Sequence, residues 1–234
     1  IPFGTLFADY ENKLESVYPV NAPKETDARA EVFAYGGKCT LSPAVKCAAP
    51  TMLIPVFPGT NCEYDTAKAA ERAGFRADIF VINNLTPSSV ARSVEQFAEK
   101  IGKAQSVFIP GGFSGGDEPD GSGKFITAFF RNPEVKAAVT ELLERRDGLM
   151  GGICNGFQAL IKLGLVPYGK IIDTDENCPT LTYNTIGRHQ SRIVRTRVSS
   201  AKSPWLAECN VGDVYSVPIS HGEGRFYASE ELIR

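Results

Sequence analysis

An α/β fold with a doubly wound, mostly parallel sheet and helices on both faces is predicted by three features of the sequence. Short apolar runs alternate with amphipathic stretches of helical length from Thr51 onward. Glycine-rich phrases follow several of those runs directly, as loops at the end of a parallel strand do. After Val166 the pattern gives way to strict alternation, which adds an antiparallel extension to the sheet.

The elements follow in order. Residues 1–50 lack long periodic segments and carry Pro19, Pro23, Gly36, Gly37, Pro43 and Pro50. They read as a linker or the tail of a preceding domain, with one short helix or strand near Glu31–Tyr35. Met52–Phe57 (MLIPVF) suits a buried strand, provided Pro55 sits where its missing N–H does no harm. After the turn PGTN, the phrase CEYDTAKAAERAG combines an acidic first turn with helix formers and closes on Gly74. Ala77–Ile82 is a strand, Ser88–Lys103 a helix, and Ser106–Pro110 a strand. Helices at Lys124–Phe130 and Pro133–Arg146 come next, then a strand at Gly148–Ile153 and a helix at Gly156–Leu163 closed by Gly164. Ser191–Val198 and Val214–Ile219 are the strands of the extension. Right-handed crossovers put the C-terminal ends of the parallel strands on one edge, where such folds hold their sites.

Composition narrows the class. The chain has 234 residues, 43% hydrophobic and 22% charged, with a formal net charge of −2. These values fit a packed globular domain and give no reason to expect nucleic acid or an anionic membrane as partner. No apolar run approaches the length of a membrane span, and the N-terminus lacks a signal pattern. The six cysteines form no C-x-x-C pair, so they read as reduced thiols of a cytoplasmic protein rather than disulfides or zinc ligands. The chain opens on Ile1 and stops at Arg234 inside the charged phrase SEELIR, so it is expected to be a piece of something longer.

Three loops, PGTNCE, PGGFSGGDEPDGSGK and GGICNGF, follow strands of the sheet and would converge on one edge. Gly152-Ile153-Cys154-Asn155-Gly156 has the spacing of a strand-to-helix elbow that exposes a nucleophile. Flanking glycines let the backbone turn sharply while Cys154 takes a strained conformation. The helix that starts near Asn155 turns its positive end toward the sulfur, favouring the thiolate, and its N–H groups can hold an oxyanion. Cys39, Cys47, Cys178 and Cys209 are expected to be ordinary small apolar residues. The second glycine loop is not a Walker A, because Phe125 follows Lys124 where a Ser or Thr is needed and Glu118 replaces a required glycine. Its better use is to present the Gly112 N–H as a second oxyanion donor opposite Asn155.

Together GGICNGFQ, PGGFSGGD, VFPGTNCEYDT and ISHGEGRF resemble the class I glutamine amidotransferase domain of phosphoribosylformylglycinamidine synthases, enzymes of purine biosynthesis. The resemblance covers residues 51–234 and leaves 1–50 as the linker or tail of a synthase portion. It implies a flavodoxin-like fold and a glutaminase in which the Cys154 thiolate attacks glutamine. Ammonia leaves, and water hydrolyses the glutamyl thioester. It further implies that the ammonia passes to a synthase domain, of the same or another chain, that uses ATP and Mg²⁺ to aminate formylglycinamide ribonucleotide. No cofactor or metal is expected in this domain. Thr60, Asn61, Phe113, Ser114 and Asp117 are candidates to line the glutamine pocket.

Such chemistry needs a histidine and a carboxylate beside the sulfur. His221-Gly222-Glu223 has the right spacing. In similar synthases, however, the S-H-G-E-G-R phrase is separate from the catalytic pair, which comes further on. The expectation is therefore that the true histidine and glutamate lie beyond Arg234, leaving His221 and Glu223 as pocket or supporting residues and His189 as structural or an interdomain contact. Two other readings compete: a stand-alone cysteine hydrolase or deglycase with Glu63 as partner of the thiol, and an inactive interaction module.

Overall fold

A computed structural model describes residues 1–17, 32–40, 42–43, 46–113 and 123–233. The chain divides into two compact units. One comprises Ile1–Ser42 with Tyr183–Arg225, the other Pro43–Thr182 with Phe226–Arg234. Among the described residues no helix is long and apolar enough to cross a membrane.

The first unit begins with helix α1 (Phe3–Asn12) and strand β1 (Tyr35–Lys38). The helix was not anticipated, although Phe3, Phe7 and Tyr10 recur at helical spacing and the Phe3 and Phe7 rings stack at 6.0 Å. All three side chains are exposed.

The second unit is built on four strands: β2 (Thr51–Val56), β3 (Arg76–Val81), β4 (Ser106–Ile109) and β5 (Leu149–Gly152). They lie in the order β3-β2-β4-β5, and every pair is parallel. The β2–β4 register covers Met52 and Leu53 and stops short of Pro55, as a residue without an N–H requires. Between the strands run α2 (Glu63–Arg72), α3 (Pro87–Lys103), α4 (Lys124–Phe130) and α5 (Pro133–Glu144); α6 (Asn155–Leu163) follows β5. Each was expected within a few residues of where it stands.

Local chemistry explains the helix starts. Thr86 caps α3 by accepting from the Ser89 N–H at 3.1 Å, and Asn132 caps α5 by accepting from the Glu134 N–H at 3.0 Å. In both, proline occupies the first turn, where its missing N–H costs nothing.

Period-two alternation along β2 feeds two cores. Leu53 joins the larger one with Phe97, Ile101, Val107, Ile109, Phe130, Leu142 and Leu163, all fully enclosed. Met52 and Ile54 point the other way, against Ala67 and Ala70 of α2. Phe57 anchors the large core through edge-to-face contacts with Phe125 at 5.8 Å and Phe129 at 5.5 Å. Full burial of each such side chain contributes roughly 1.5–3 kcal/mol. With helices on both faces, the sheet is doubly wound as expected.

Beyond α6 lie a short helical turn α7 (Leu165–Tyr168) and strand β6 (Thr180–Thr182). The first unit then resumes with β7 (Gln190–Arg197), β8 (Ser200–Ala201) and β9 (Val214–His221). The expected antiparallel strands are present but do not extend the parallel sheet: β7 and β9 run from Gln190 opposite His221 to Arg197 opposite Val214, hydrogen-bonded to each other as their own two-stranded sheet. β1 pairs with β8, which ties the early segment into this unit. Strand β10 (Arg225–Tyr227), paired with β6, and the turn of helix α8 (Glu230–Ile233) end the described chain.

Candidate active site

Strand order fixes where a site belongs. From β2 the chain crosses to β3 on one side and later to β4 on the other, so the switch in strand order, where such folds hold their sites, falls between β2 and β4 at the carboxyl edge. The loop after β2 and the loop after β4 meet there. Thr60 and Gly112 form a single antiparallel bridge, and the Phe113 N–H donates to Gly59 O at 2.8 Å. Gly112 has φ +138°, and a Cβ on it would lie 2.4 Å from Gly59 O and 2.8 Å from Thr60 Cα. No other residue allows this approach. Within the loop, the Phe57 N–H donates to Thr60 Oγ1 at 3.1 Å, so the Thr60 side chain holds its own turn.

Cys154 stands beside this pair of loops, as the N-cap of α6 with φ 55° and ψ −113°. A non-glycine residue at that φ is strained, which is the state expected of an elbow nucleophile. The thiol-bearing residue is exposed, whereas the next two, Asn155 and Gly156, are buried. The flanking glycines serve a purpose other than the one expected. Neither Gly152 nor Gly156 takes a positive φ; the chain turns at Cys154 itself. A Cβ on Gly156 would lie 2.1 Å from Ile109 O of β4, and one on Gly152 would lie 2.8 Å from Gly156 C. The glycines let the helix start press onto the strand ends, which holds Cys154 close to the Gly111–Gly112 loop. Asn155 is 2% exposed, and its Nδ2 donates to Gln158 Oε1 at 3.2 Å.

A second thiol was missed by the sequence reading. Cys62, the N-cap of α2, donates its S–H to Asn61 Oδ1 at 3.0 Å. Burial raises its pKa above the ordinary thiol value, and the charges of Cys154, Asp65 and Glu63 push it further the same way. Glu63 Oε2 is buried without a hydrogen-bond partner among the described residues. Its charge bears on Cys62.

The expected residues thus separate. Cys154, Asn155, Gly112, Phe113, Thr60 and Asn61 share the second unit, on the loops at one sheet edge. Ser114 and Asp117 lie outside the described residues. His221 and Glu223 belong to the first unit, at the end of β9 and in the bend after it. His189 bonds Ser220 Oγ through Nε2 at 2.8 Å, joining β7 to β9, a structural contact inside that unit.

His221 is held by a residue no motif pointed to. Asn184, 9% exposed, donates from Nδ2 to the carbonyls of Arg188 at 2.9 Å and His221 at 2.8 Å. Its Oδ1 accepts from the Gly224 N–H at 3.2 Å and faces His221 Nδ1 at 2.9 Å. Two carbonyls on one side fix which end of the amide is oxygen, so His221 Nδ1 donates its N–H to Asn184 Oδ1. A Cβ on Gly224 would lie 2.2 Å from ring atoms of His221. The ring therefore lies flat on that glycine, which gives the H-G-E-G phrase a steric reason.

Among the described residues there is no group of three or more His, Cys, Asp or Glu side chains suited to a metal ion. The arrangement offers a strained, exposed thiol at a helix N-terminus, beside the glycine pair Gly111–Gly112.

The chain is 33% identical over 180 residues to the phosphoribosylformylglycinamidine synthase subunit PurQ of Salinibacter ruber, covering 77% of this chain and 64% of that protein. It is 34% identical over 182 residues to the subunit of the same name from Methanococcus maripaludis strain S2, covering 78% and 61%. It therefore spans under two thirds of the length of these curated relatives. A chain in the structure of PurLQS from Thermotoga maritima shares the fold, with a TM-score of 0.58 at 24% identity over 78% of this chain and 71% of that one. Residues 49–234 match the family model described as the CobB/CobQ-like glutamine amidotransferase domain, and the chain belongs to that family.

Proposed function

We propose that this chain hydrolyses L-glutamine through a glutamyl thioester on Cys154 and supplies ammonia to an ATP-dependent formylglycinamide ribonucleotide amidotransferase of purine biosynthesis. The observation that carries the reading is Cys154 itself: a strained, exposed thiol at the N-terminus of α6, set against the Gly111–Phe113 loop. In this reading residues 51–234 form the glutaminase domain and residues 1–50 the linker or tail of a synthase portion. The protein works in the cytoplasm, with its synthase partner holding ATP and Mg²⁺.

The thiolate attacks the side-chain carbonyl carbon of glutamine. The N–H groups of Gly112 and Asn155 stabilise the tetrahedral oxyanion, each such donor contributing about 3–4 kcal/mol to the transition state. Collapse expels ammonia, and water hydrolyses the thioester through a second oxyanion held the same way. Thr60, Asn61, Phe113, Ser114 and Asp117 line the glutamine pocket. The acid–base histidine and carboxylate are assigned, on the motif resemblance, to residues beyond Arg234, with His221 and Glu223 in supporting roles.

Ammonia release from L-glutamine tests the proposal, measured for this chain and for one extended past Arg234, each with its synthase. Hydrolysis that survives Cys154→Ala would overturn the nucleophile assignment. Full activity from residues 1–234 would overturn the placement of the histidine. Covalent labelling of Cys154 by a diazo-ketone analogue of glutamine supports the amidotransferase over a hydrolase of other substrates.

A further inference from the structure

We propose that Cys62 is a resolving thiol for Cys154, so that oxidation of Cys154 by a hydroperoxide ends in a reversible Cys62–Cys154 disulfide rather than in destruction of the nucleophile.

The geometry around Gly111 carries the argument. The point where a Gly111 side chain would begin lies 3.2 Å from Cys154 Cβ and 3.7 Å from Cys62 Sγ. The two cysteines therefore flank one residue, and because that residue is glycine no side chain stands between them. Both are N-caps of helices that leave the same edge of the parallel sheet. Cys154 is exposed and open to a small oxidant, while Cys62 is half-buried. The remaining four cysteines lie elsewhere: Cys39 and Cys209 belong to the first unit, Cys178 is engaged with Asp175 at 3.5 Å, and Cys47 precedes the amino end of β2, whereas Cys62 and Cys154 follow carboxyl ends of strands.

Electrostatics order the two thiols. Burial, then the charge of Cys154, then Asp65 and Glu63 hold Cys62 protonated, so it leaves the nucleophile's work to Cys154. Oxidation reverses one of these influences. The Cys154 thiolate attacks a peroxide oxygen; an S–O bond forms, the O–O bond breaks, and the leaving oxygen departs as water or an alcohol after taking a proton. Sulfur has lost two electrons, and the peroxide has gained them. The neutral sulfenic acid no longer opposes ionisation of Cys62. The Cys62 sulfur then attacks the Cys154 sulfur; the S–S bond forms, the S–O bond breaks, and hydroxide leaves with the Cys62 proton as water. Closure draws the two Cβ atoms to about 3.5–4.5 Å across the space that Gly111 leaves open. An external dithiol returns both thiols by disulfide exchange.

Peptide mapping of the full chain after graded hydrogen peroxide, thiol blocking and non-reducing digestion tests this directly. The expected product is a peptide containing Cys62 cross-linked to one containing Cys154, lost on treatment with dithiothreitol. Phenylarsine oxide, which needs two neighbouring thiols, should bind the reduced wild type and fail to bind Cys62→Ser or Cys62→Ala. In either variant peroxide should drive Cys154 to the sulfinic acid, beyond recovery by dithiothreitol. Wild-type protein that accumulates Cys154 sulfinic acid while Cys62 remains a free thiol would overturn the proposal, as would a cross-link from Cys154 to any other cysteine. Because the readout is covalent mass, the outcome is independent of whether glutamine is the substrate of Cys154.

Discussion

Two strand-to-helix turns in this protein occupy equivalent places and behave as opposites. At β2–α2 the N-cap is Cys62, with φ −116° and with Glu63 and Asp65 in the first turn of the helix. At β5–α6 the N-cap is Cys154, with φ 55° and no acidic residue in the first turn. One helix start has its positive end neutralised by carboxylates and its thiol tucked into the loop; the other leaves the positive end to the thiol and pushes the sulfur outward. Two cysteines at helix N-termini thus meet different surroundings. Backbone conformation and the charge of the first helical turn set them apart, and the proposed function assigns the nucleophile to the one without acidic neighbours.

The contrast can be broken at several depths. The largest effect belongs to Cys154→Ala, which should lower glutamine hydrolysis by about 10⁴-fold or more, the scale of losing a covalent nucleophile. Cys62→Ala should cost far less in the same assay. Equal losses at the two positions would erase the distinction.

Next comes the packing that sets the Cys154 turn. Gly156→Ala forces a Cβ to within 2.1 Å of Ile109 O unless the helix moves. The expected destabilisation is about 3 kcal/mol, or roughly 6–12 °C in the midpoint of thermal unfolding. An unchanged midpoint would mean the helix start is free to shift, and with it the thiol.

Asn184→Ala should cost about 1–2 kcal/mol by stripping a buried amide from the carbonyls of Arg188 and His221. More telling is the imidazole: ¹⁵N shifts of His221 should report a proton held at Nδ1 in the wild type and exchange between the ring nitrogens in the variant. A wild-type ring without a proton at Nδ1 would refute the hydrogen bond to Asn184.

The smallest effect sharpens the comparison most finely. Glu63→Gln removes one of the charges that hold the Cys62 thiol protonated. Less opposition to the anion lowers that pKa, so Cys62 should alkylate about twofold to fivefold faster near pH 8. Iodoacetamide kinetics followed by peptide mass measure it. The rate at Cys154 serves as the internal reference.

The legible part of this molecule is the part governed by local pattern. Runs such as Met52–Phe57 and Ser106–Pro110 alternate with helical phrases at a spacing that only a parallel sheet satisfies, and Cys154 announces itself by its glycines. The reason for those glycines was hidden. It depends on Ile109, far along the chain, and on a turn taken at the cysteine rather than beside it. Asn184 was illegible for a related reason. Its contacts run to Arg188, His221 and Gly224, so only the closed fold brings them together. Cys62 sat inside a phrase singled out for Thr60 and Asn61, and its significance lies in a neighbour on another strand. Helix α1 carried a visible stripe of Phe3, Phe7 and Tyr10, overlooked because the breakers further on coloured the whole segment.

The bridge between Thr60 and Gly112 has a mechanical meaning. Joined backbone to backbone, residues 59–61 and 111–113 are fastened to one another. The amide proposed to receive the oxyanion is thereby tied to the turn after β2. A push on residues 58–61, by a substrate end or a docked subunit, would reach that amide through the backbone. Throttling by displacement of the anion receiver is a control point this backbone contact makes available.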